Sequence, residues 1–210
     1  MADDTDDTAP ADPILDRVLS DSAYERERLQ RFSHFKQPIP QKLALQGALL
    51  GSLAFLIPLY SLYPASSAPY LPSMDPVVAS PKVLFLGVFG AAVELGTATL
   101  LVGAALYRVR EEPVTDDQAR SILNVETFAS YLGFGTGGVI IALTLAFFAL
   151  GLGGAETLAW YVSLTDGVNP FTATGMPISV GHLGTVALAG ALAIAVARGY
   201  VADRLAGLDT

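Results

Sequence analysis

The stretch GVFGAAVELGTATLLVGAALYRVR, residues 87–110, decides the fold class of this chain. It is apolar for longer than the ~20 residues that an α-helix needs to cross a bilayer. Between Gly87 and Tyr107 its only charged residue is Glu94, which stands near the middle. The stretch therefore predicts a transmembrane helix that carries one carboxyl group inside the membrane.

Three more runs of the chain are comparably apolar, and the composition agrees with them. Hydrophobic residues make up 52% of the 210 residues, and the mean hydropathy is +0.48. These values are typical of membrane proteins rather than of ordinary soluble domains. We therefore expect an all-α integral membrane protein, a bundle of four transmembrane helices at about residues 43–63, 83–107, 132–153 and 177–197. Thr115 followed three residues later by Gln118 is a capping-box pattern, so a helix is expected to start near Asp116 and to run on into the third span.

Positive charges near the ends of these runs predict which way the bundle faces. Cytoplasmic ends of membrane helices are enriched in Lys and Arg. With the exception of Lys82, such residues flank the runs on the side of both termini: Arg26, Arg28, Arg31, Lys36, Lys42, Arg108, Arg110, Arg120, Arg198 and Arg204. We expect a multi-pass protein of the cell membrane with cytoplasmic N- and C-termini.

Aromatic residues near the ends of the runs predict interfacial belts, because such rings bury their body and leave their polar tip wet. The expected outer belt contains Tyr60, Tyr63, Tyr70, Trp160 and Tyr161, and the inner belt contains Tyr107, Tyr131 and Tyr200.

The composition divides the chain into three segments. We expect an acidic, partly disordered cytoplasmic segment, then the transmembrane domain, then a short cytoplasmic tail. Within the first segment the first eleven residues have no apolar periodicity and are expected to be disordered. The three segments are residues 1–42, 43–200 and 201–210.

A short amphipathic helix is predicted shortly before the first span. Ser22 followed three residues later by Glu25 is a capping-box pattern. Leu29, Phe32 and Phe35 share one side of that helix, among basic residues. This pattern favours a helix that lies on the inner membrane surface over one that docks a partner.

Glu94 lies about eleven residues into its span, hence roughly 16 Å below the outer edge by the helix rise. A charged carboxylate facing lipid at that depth would cost about 2.5–3.5 kcal/mol or more, so Glu94 is expected to face protein. Two interpretations stay open: a proton or cation site, or an interhelical hydrogen bond that fixes packing. Thr97 shares its helix face, and Ser52 and Thr144 lie at a similar depth, which makes these two hydroxyls the expected partners.

Small residues recur at the spacing that lets membrane helices approach closely. The stretch GFGTGG, residues 133–138, also fits a dinucleotide-binding pattern, but no strand precedes it and an apolar helix follows it, so nucleotide binding is rejected. The residues expected to pack helices together are Gly47, Gly51, Gly87, Gly90, Ala91, Gly133, Gly137 and Gly138.

A second polar group, formed by Ser179, His182 and Thr185, shares one face at the outer end of the fourth run. His34 is the only other histidine and cysteine is absent, so the usual ligands of a haem, an iron–sulfur cluster or a zinc site are lacking. Ser179 and His182 are one helical turn apart, but the sequence places no carboxylate beside them to complete a Ser-His-Asp triad. This pattern gives little support to a hydrolase. We expect no catalytic residue, no metal and no cofactor.

The charge balance limits the partners. The formal net charge is −8 and the pI is about 4.6, which argues against nucleic-acid binding. Lysine occurs only at Lys36, Lys42 and Lys82, and this acidic, lysine-poor composition resembles that of salt-adapted proteins. The partners expected are the lipid bilayer and either another membrane protein or further copies of the chain.

Two functional hypotheses follow, and neither is an enzyme. The leading one is a structural, assembly or accessory subunit of a membrane complex, which binds through the small-residue helix faces. The alternative is a small oligomeric transporter or ion-conducting subunit that uses Glu94 as an intramembrane proton or cation site. Loss of a flux in Glu94→Gln with assembly intact would favour the alternative, and misassembly of that variant would favour the structural role.

Overall fold

The computed structural model describes residues 22–30 and 35–208. Residues 1–11, for which disorder is predicted, lie outside the described residues, as do Phe32 and His34. Within the described ranges the protein is helical without a strand, and its one β-type contact is a bridge between Pro81 and Ala173. The prediction of an all-α protein is confirmed.

The α-helices are labelled in chain order, and short segments of other helical geometry join some of them. The 3₁₀ turn Leu53–Phe55 joins α2 to α3, the π-helical segment Tyr131–Gly137 joins α5 to α6, and the 3₁₀ turn Gly151–Gly153 joins α6 to α7. The helices are α1 (Ala23–Gln30), α2 (Ile39–Ser52), α3 (Leu56–Ser61), α4 (Leu84–Glu111), α5 (Asp116–Ser130), α6 (Gly138–Leu150), α7 (Gly154–Leu164) and α8 (Val180–Ala206).

Four stretches of the described chain are long and apolar enough to cross a membrane: Ile39–Ser61, Leu84–Glu111, Asp116–Leu164 and Val180–Ala206. This confirms the prediction of four apolar helices in a membrane protein. Their outward side chains include large apolar groups, such as Phe55 and Val196, which are 66% and 75% exposed. Such a surface suits contact with lipid, because apolar side chains are favourable in hydrocarbon. The backbone N–H and C=O groups of a helix need no partner in lipid, since they form hydrogen bonds within the helix.

The helix α4 is central to the bundle, because it contacts α2, α5, α6 and α8. The helices α2 and α8 also pack against each other. Short side chains let helix backbones approach closely in membranes, and small residues occupy several of these contacts. Since α4 carries Glu94, this arrangement places the carboxyl group between neighbouring helices rather than in lipid.

The first span changes geometry where a proline interrupts its hydrogen bonds. Proline lacks the backbone N–H that would bond to the carbonyl four residues earlier. Pro58 lies in α3, and the residue four positions before it, Ala54, lies in the 3₁₀ turn that joins α2 to α3. The tightened turn is thus located where the regular helical bond is missing.

The third apolar run is preceded by a helix that begins at Asp116, as the Thr115–Gln118 pattern predicts. Thr115 accepts a hydrogen bond from the backbone N–H of Gln118, and the Gln118 side chain accepts one from the backbone N–H of Thr115. This capping box satisfies N–H groups that the first helical turn leaves free. The chain then continues through α5, the π-helical segment and α6.

At its far end this long helical stretch turns at Gly154, where φ is +70°, a conformation that glycine adopts without steric cost. The helix α7 follows and packs against the 3₁₀ turn Ala65–Tyr70. It therefore covers the end of the bundle instead of prolonging the third span.

The two long loops, residues 62–83 and 165–179, close one end of the bundle, which we call the loop side. Backbone bonds tie them together: Lys82 N–H donates to the Thr172 carbonyl at 2.8 Å, and Thr174 N–H donates to the Ser80 carbonyl at 2.9 Å. The opposite end, where α1, residues 112–115 and the end of α8 lie, is called the terminal side.

An aromatic cluster lies beneath the loops, and it corrects one prediction. Tyr60 and Tyr63 are 1% and 5% exposed, so their expected place in an interfacial belt is wrong. Their rings pack with Phe148 and Phe171. They can be buried because each hydroxyl donates to a backbone carbonyl, Tyr60 to Ser73 at 2.6 Å and Tyr63 to Phe148 at 2.5 Å.

The helix α1 packs against protein at the terminal side. Its Ala23 and Tyr24 are buried among apolar residues that include Ile122 and Leu123 of α5. Leu29 of the predicted apolar face is half exposed, and Phe35 packs on the rings of Tyr131 and Phe134. The burial of Ala23 and Tyr24 thus holds α1 against α5, while Leu29 stays outside this contact.

Candidate functional site

Glu94 lies in the interior of the bundle. It is the eleventh residue of α4, and its side chain is 0% exposed. At 1.5 Å per residue this position is roughly 15 Å from the start of α4. The expectation that Glu94 faces protein agrees with this burial, and the carboxyl group has no contact with the lipid-facing surface.

The π-helical segment Tyr131–Gly137 supplies the wall opposite Glu94. A methyl group added at Gly137 would lie 2.9 Å from Glu94 Oε1, and one added at Gly133 would lie 3.4 Å from Glu94 Oε2. A side chain at Gly137 would crowd the carboxyl group, whereas one at Gly133 would stay at ordinary contact distance from it. π-Helical turns are rare in proteins and recur at functional sites, because they re-aim residues within a helix.

A side-chain hydrogen bond joins two helices next to Glu94. Gln46 of α2 donates from Nε2 to Oγ1 of Thr97 on α4, at 2.8 Å. Thr97 in turn donates to the carbonyl of Val93 in its own helix, at 2.8 Å. Gln46 is 0% and Thr97 is 1% exposed. The interhelical bond at this depth is thus made by Gln46 and Thr97, and Glu94 is left out of it.

Three buried oxygen atoms of this site have no hydrogen-bond partner within residues 22–30 and 35–208. They are Oε1 and Oε2 of Glu94 and Oε1 of Gln46. Most buried polar atoms in proteins are paired, so an unpaired group calls for an explanation such as a functional role. Chemically, the site offers a carboxyl group that can exchange a proton, with an amide and a hydroxyl beside it. We call Gln46, Glu94, Thr97, Gly133 and Gly137 the Glu94 cluster.

The expected hydroxyl partners of Glu94 are not its partners. Ser52 Oγ donates to the Leu49 carbonyl at 2.6 Å, and Thr144 Oγ1 donates to the Ile140 carbonyl at 2.8 Å. Both hydroxyls satisfy their donors within their own helices, which is the usual behaviour of Ser and Thr in apolar surroundings. The depth of a residue along a helix does not determine its direction around the helix axis, and this is why the expectation failed.

The second predicted polar group lies on the loop side and has a local structural role. Ser179 Oγ accepts from the backbone N–H of His182 at 3.2 Å, and His182 Nδ1 accepts from the backbone N–H of Ser179 at 3.3 Å. This is a capping box at the start of α8. Thr185 donates to the Gly181 carbonyl at 2.8 Å and is exposed. Ser179 and His182 therefore cap the start of α8, while Thr185 bonds only within its own helix.

The small residues singled out from the sequence lie where helices meet. Gly47 and Gly51 face Ile194 and Ala191 of α8, Gly87 faces Leu183 and Thr144, and Gly90 faces Ile141. Gly138 faces Leu49, and Ala91 is 6% exposed. Gly133 and Gly137 differ from the others, because they face polar side chains.

A second buried polar cluster lies at the terminal side, and sequence reasoning missed it. Lys42 Nζ and Glu126 Oε1 are 2.5 Å apart, and the side chains are 3% and 5% exposed. Tyr24 Oη donates to Glu126 Oε2 at 2.8 Å. We call these three residues the Lys42–Glu126–Tyr24 cluster. The available signal was the spacing of Lys42 and Gln46, two polar residues one helical turn apart at the start of an apolar run.

Arg108 completes this cluster from α4. Its guanidinium carbon lies 3.8 Å from the centroid of the Tyr24 ring, and Nη2 is 3.7 Å from Glu25 Oε1. Burial raises the pKa of the Tyr24 phenol above its ordinary value, and the neighbouring Glu126 carboxylate raises it further. Tyr24 therefore remains protonated and acts as the donor to Glu126.

Comparison with known proteins identified no relative of this chain. No protein-family model, no curated protein and no solved structure matches the chain. Across the described ranges no three His, Cys, Asp or Glu side chains come together in a way that would hold a metal ion. The function is therefore argued from the geometry of the two polar clusters.

Proposed function

We propose that this chain is a subunit of a membrane transport or ion-conducting assembly that binds and releases a proton at Glu94. The observation that supports it most directly is the burial of both carboxyl oxygens of Glu94 without a hydrogen-bond partner in the described part of the chain. Carboxyl groups inside membrane helices are costly, and they mark proton and ion pathways in many membrane proteins.

The contacts favour this proposal over a purely structural role for Glu94. A structural glutamate would hold two helices together through a hydrogen bond. Here that bond is made by Gln46 and Thr97, at 2.8 Å, and it does not involve the carboxyl group. Burial of the Glu94 carboxyl group thus costs desolvation free energy and brings no interhelical hydrogen bond in return. A carboxyl group that exchanges its proton is expected to be in this state.

A proton fits the Glu94 cluster better than a metal cation. The oxygens free to accept are those of Glu94 and Oε1 of Gln46. Divalent cations such as Ca²⁺ and Mg²⁺ take about six or more oxygen ligands. Space is also short, because Gly133 and Gly137 approach the carboxyl group closely. A single proton needs one lone pair and no additional volume.

The proposal includes an orientation, a cellular location and a non-enzymatic role. We place the terminal side in the cytoplasm of the cell, because Lys and Arg residues flank the spans there. Four helices packed this closely leave little room for a path through one copy, so the working unit is an oligomer. The Ser179–His182 contact belongs to a helix cap and gives no support to hydrolysis.

The variant Glu94→Gln tests the proposal. In full-length protein reconstituted in vesicles, we expect a titrating carboxyl band in the infrared difference spectrum between low and high pH. Because the amide is neutral at every pH, Glu94→Gln should lose this band and reduce proton flux by at least about tenfold. Thermal stability should stay near that of the wild type, since the two side chains have nearly the same shape.

The exposed Glu156 of α7 offers a matched control. Glu156→Gln removes a carboxyl group outside the Glu94 cluster and should leave the flux unchanged. A Glu94→Gln protein that keeps the flux and the infrared band would contradict the proposal. A variant that fails to assemble would point to the structural role instead.

A second candidate function is an accessory subunit of a membrane complex. It is favoured by a shallow groove between α2 and α8 near the terminal side, lined by Gly47, Ala48, Ala191, Ala195 and Arg198. Small residues in such a groove allow the close approach of a further helix. The occupant proposed is a transmembrane helix of a foreign subunit.

Native mass spectrometry of the tagged protein, extracted gently at high salt, separates the two candidates. A foreign subunit in fixed ratio, lost on Ala195→Phe, would establish the accessory role. The neighbouring Val196 is 75% exposed and does not line the groove, so Val196→Phe should retain the partner. Copies of this chain alone would exclude the foreign subunit and favour the transport assembly.

A further inference from the structure

The Lys42–Glu126–Tyr24 cluster is more than a local ion pair, because it lies at one end of a series of buried polar groups. Lys42 and Gln46 are one turn apart on α2 and are 3% and 0% exposed. Gln46 bonds to Thr97, and Thr97 is one turn from Glu94 on α4. Polar side chains thus follow one another from the terminal side to Glu94 at intervals of a helical turn.

The third span contributes to the same series. Glu126 and Ser130 lie one turn apart in α5 and are 4% and 0% exposed. The next position along this face is Gly133, where an added methyl group would come 2.5 Å from Gln46 Nε2 and 2.9 Å from Thr97 Oγ1. The absence of a side chain at Gly133 leaves room for the polar groups that connect the two clusters.

The opposite direction from Glu94 is closed by apolar side chains. Leu53, Ile141 and Leu183 are at most 5% exposed in the core. Nearer the loop side the rings of Tyr63, Phe148 and Phe171 fill the interior, and the tied loops cover them. Polar groups therefore reach Glu94 from the terminal side, while the interior towards the loop side is filled mainly by apolar and aromatic side chains.

The helix α1 covers the terminal end of this series. Besides the buried Ala23 and Tyr24 and the pair of Arg108 with Glu25, it is held by ion pairs of Arg26 with Asp116 at 3.4 Å and of Glu27 with Arg120 at 2.9 Å. The Arg26, Asp116 and Arg120 side chains are more than 40% exposed, and exposed pairs contribute little stability. The eight-residue helix α1 thus covers the cluster with only two buried side chains, Ala23 and Tyr24, and several of its ion pairs are exposed.

We propose that Glu126, paired with Lys42, is the relay through which a proton reaches Glu94 from the terminal side, and that α1 closes this relay through Tyr24. The inference rests on the proposed function of Glu94. Glu126 takes up a proton on the terminal side, and one proton passes on to the Glu94 carboxylate through water that enters between the buried polar groups, since no side chain of the described ranges bonds to the Glu94 oxygens. Each O–H bond that breaks is matched by one that forms, and the Lys42 ammonium group lies beside the Glu126 carboxylate that remains.

The charged groups around Glu126 agree with this role. Lys42 faces it from α2, Tyr24 faces it from α1, and Arg108 of α4 lies over the Tyr24 ring and pairs with Glu25. A buried ion pair adds little net stability compared with apolar residues, so its presence here favours a functional explanation. Ionisable residues within membrane helices commonly serve as proton relays.

The rate at which Glu94 takes up a proton tests the relay. Full-length protein in vesicles is given a rapid drop in pH on the terminal side, and the Glu94 infrared band is followed in time. The double variant Lys42→Met/Glu126→Gln removes both charges together and keeps an acceptor for Tyr24. We expect it to slow the rise of the band by at least about tenfold, with the final amplitude unchanged.

Tyr24→Phe tests the closure by α1. It keeps the ring beneath Arg108 and removes only the hydroxyl that donates to Glu126. We expect faster proton uptake at Glu94 than in the wild type, while Glu156→Gln should show the wild-type rate. An unchanged or slower rate in Tyr24→Phe would overturn the closure.

The outcomes separate this inference from the proposed function. If the band titrates and disappears in Glu94→Gln, but the double variant shows the wild-type rate, the relay is refuted while the proton site at Glu94 stands. If the wild type has no titrating band that Glu94→Gln removes, the proposed function fails and the relay fails with it.

Discussion

Replacing Lys42 by methionine is expected to lower the free energy of unfolding by about 3–5 kcal/mol, the largest loss anticipated for a single substitution in this protein. Lys42 is 3% exposed and its Nζ lies 2.5 Å from Glu126 Oε1. The substitution leaves the Glu126 carboxylate buried and opposed by no ammonium group. Its stability should be measured by denaturation of the purified protein in detergent.

The double variant and a surface lysine provide the controls for this prediction. Lys42→Met/Glu126→Gln should recover most of the loss, because no charge then remains buried and Tyr24 keeps its acceptor. Lys82 is exposed and forms no ion pair in the described part of the chain. Lys82→Met should therefore change stability by less than about 0.5 kcal/mol. Equal effects of Lys42→Met and Lys82→Met would show that the buried pair does not stabilise the fold.

The second large effect is expected at Gly133. An alanine Cβ there would lie 2.5 Å from Gln46 Nε2 and 2.9 Å from Thr97 Oγ1, closer than these atoms tolerate. Gln46 is fully buried, so its side chain cannot move into solvent to make room. Gly133→Ala should break the Gln46–Thr97 bond and lower the free energy of unfolding by about 1–3 kcal/mol, as overpacked cores do.

Gly135 is a matched control within the same π-helical segment. A methyl group added there meets nothing within 4 Å. Gly135→Ala should keep the stability of the wild type in the same detergent denaturation assay. If both alanine variants behave alike, the close packing of the π-helical segment on the Glu94 cluster is disproved.

The four apolar helices could be predicted because their signal is local. A run of about 20 apolar residues has one stable state in hydrocarbon, an α-helix whose backbone bonds are all internal. Both ends of the third span carry local signals as well. The helix begins at Asp116, as the Thr115–Gln118 pattern predicts, because these two residues form a capping box. It turns at Gly154 because glycine adopts a positive φ there.

The candidate site was only partly predictable. Glu94 was recognisable as a candidate site because placing an isolated carboxyl group inside a membrane is energetically unfavourable, whichever side of the helix it lies on. Its surroundings were not, because residues at equal depth can point to different sides of their helices. Ser52 and Thr144 turn their hydroxyls to their own backbones, while Gln46 reaches the neighbourhood of Glu94 from α2.

The sequence by itself determined the class of structure, the number of apolar helices and the presence of one carboxyl group among them, since these follow from hydropathy and length. Only the tertiary structure decided that the Glu94 carboxyl group has no hydrogen-bond partner among the described residues, that Lys42 pairs with Glu126 across 84 positions of sequence, and that Tyr24 covers this pair. The reason is that burial and pairing depend on helix rotation and crossing, which arise from packing between distant segments and leave no periodic mark in the chain.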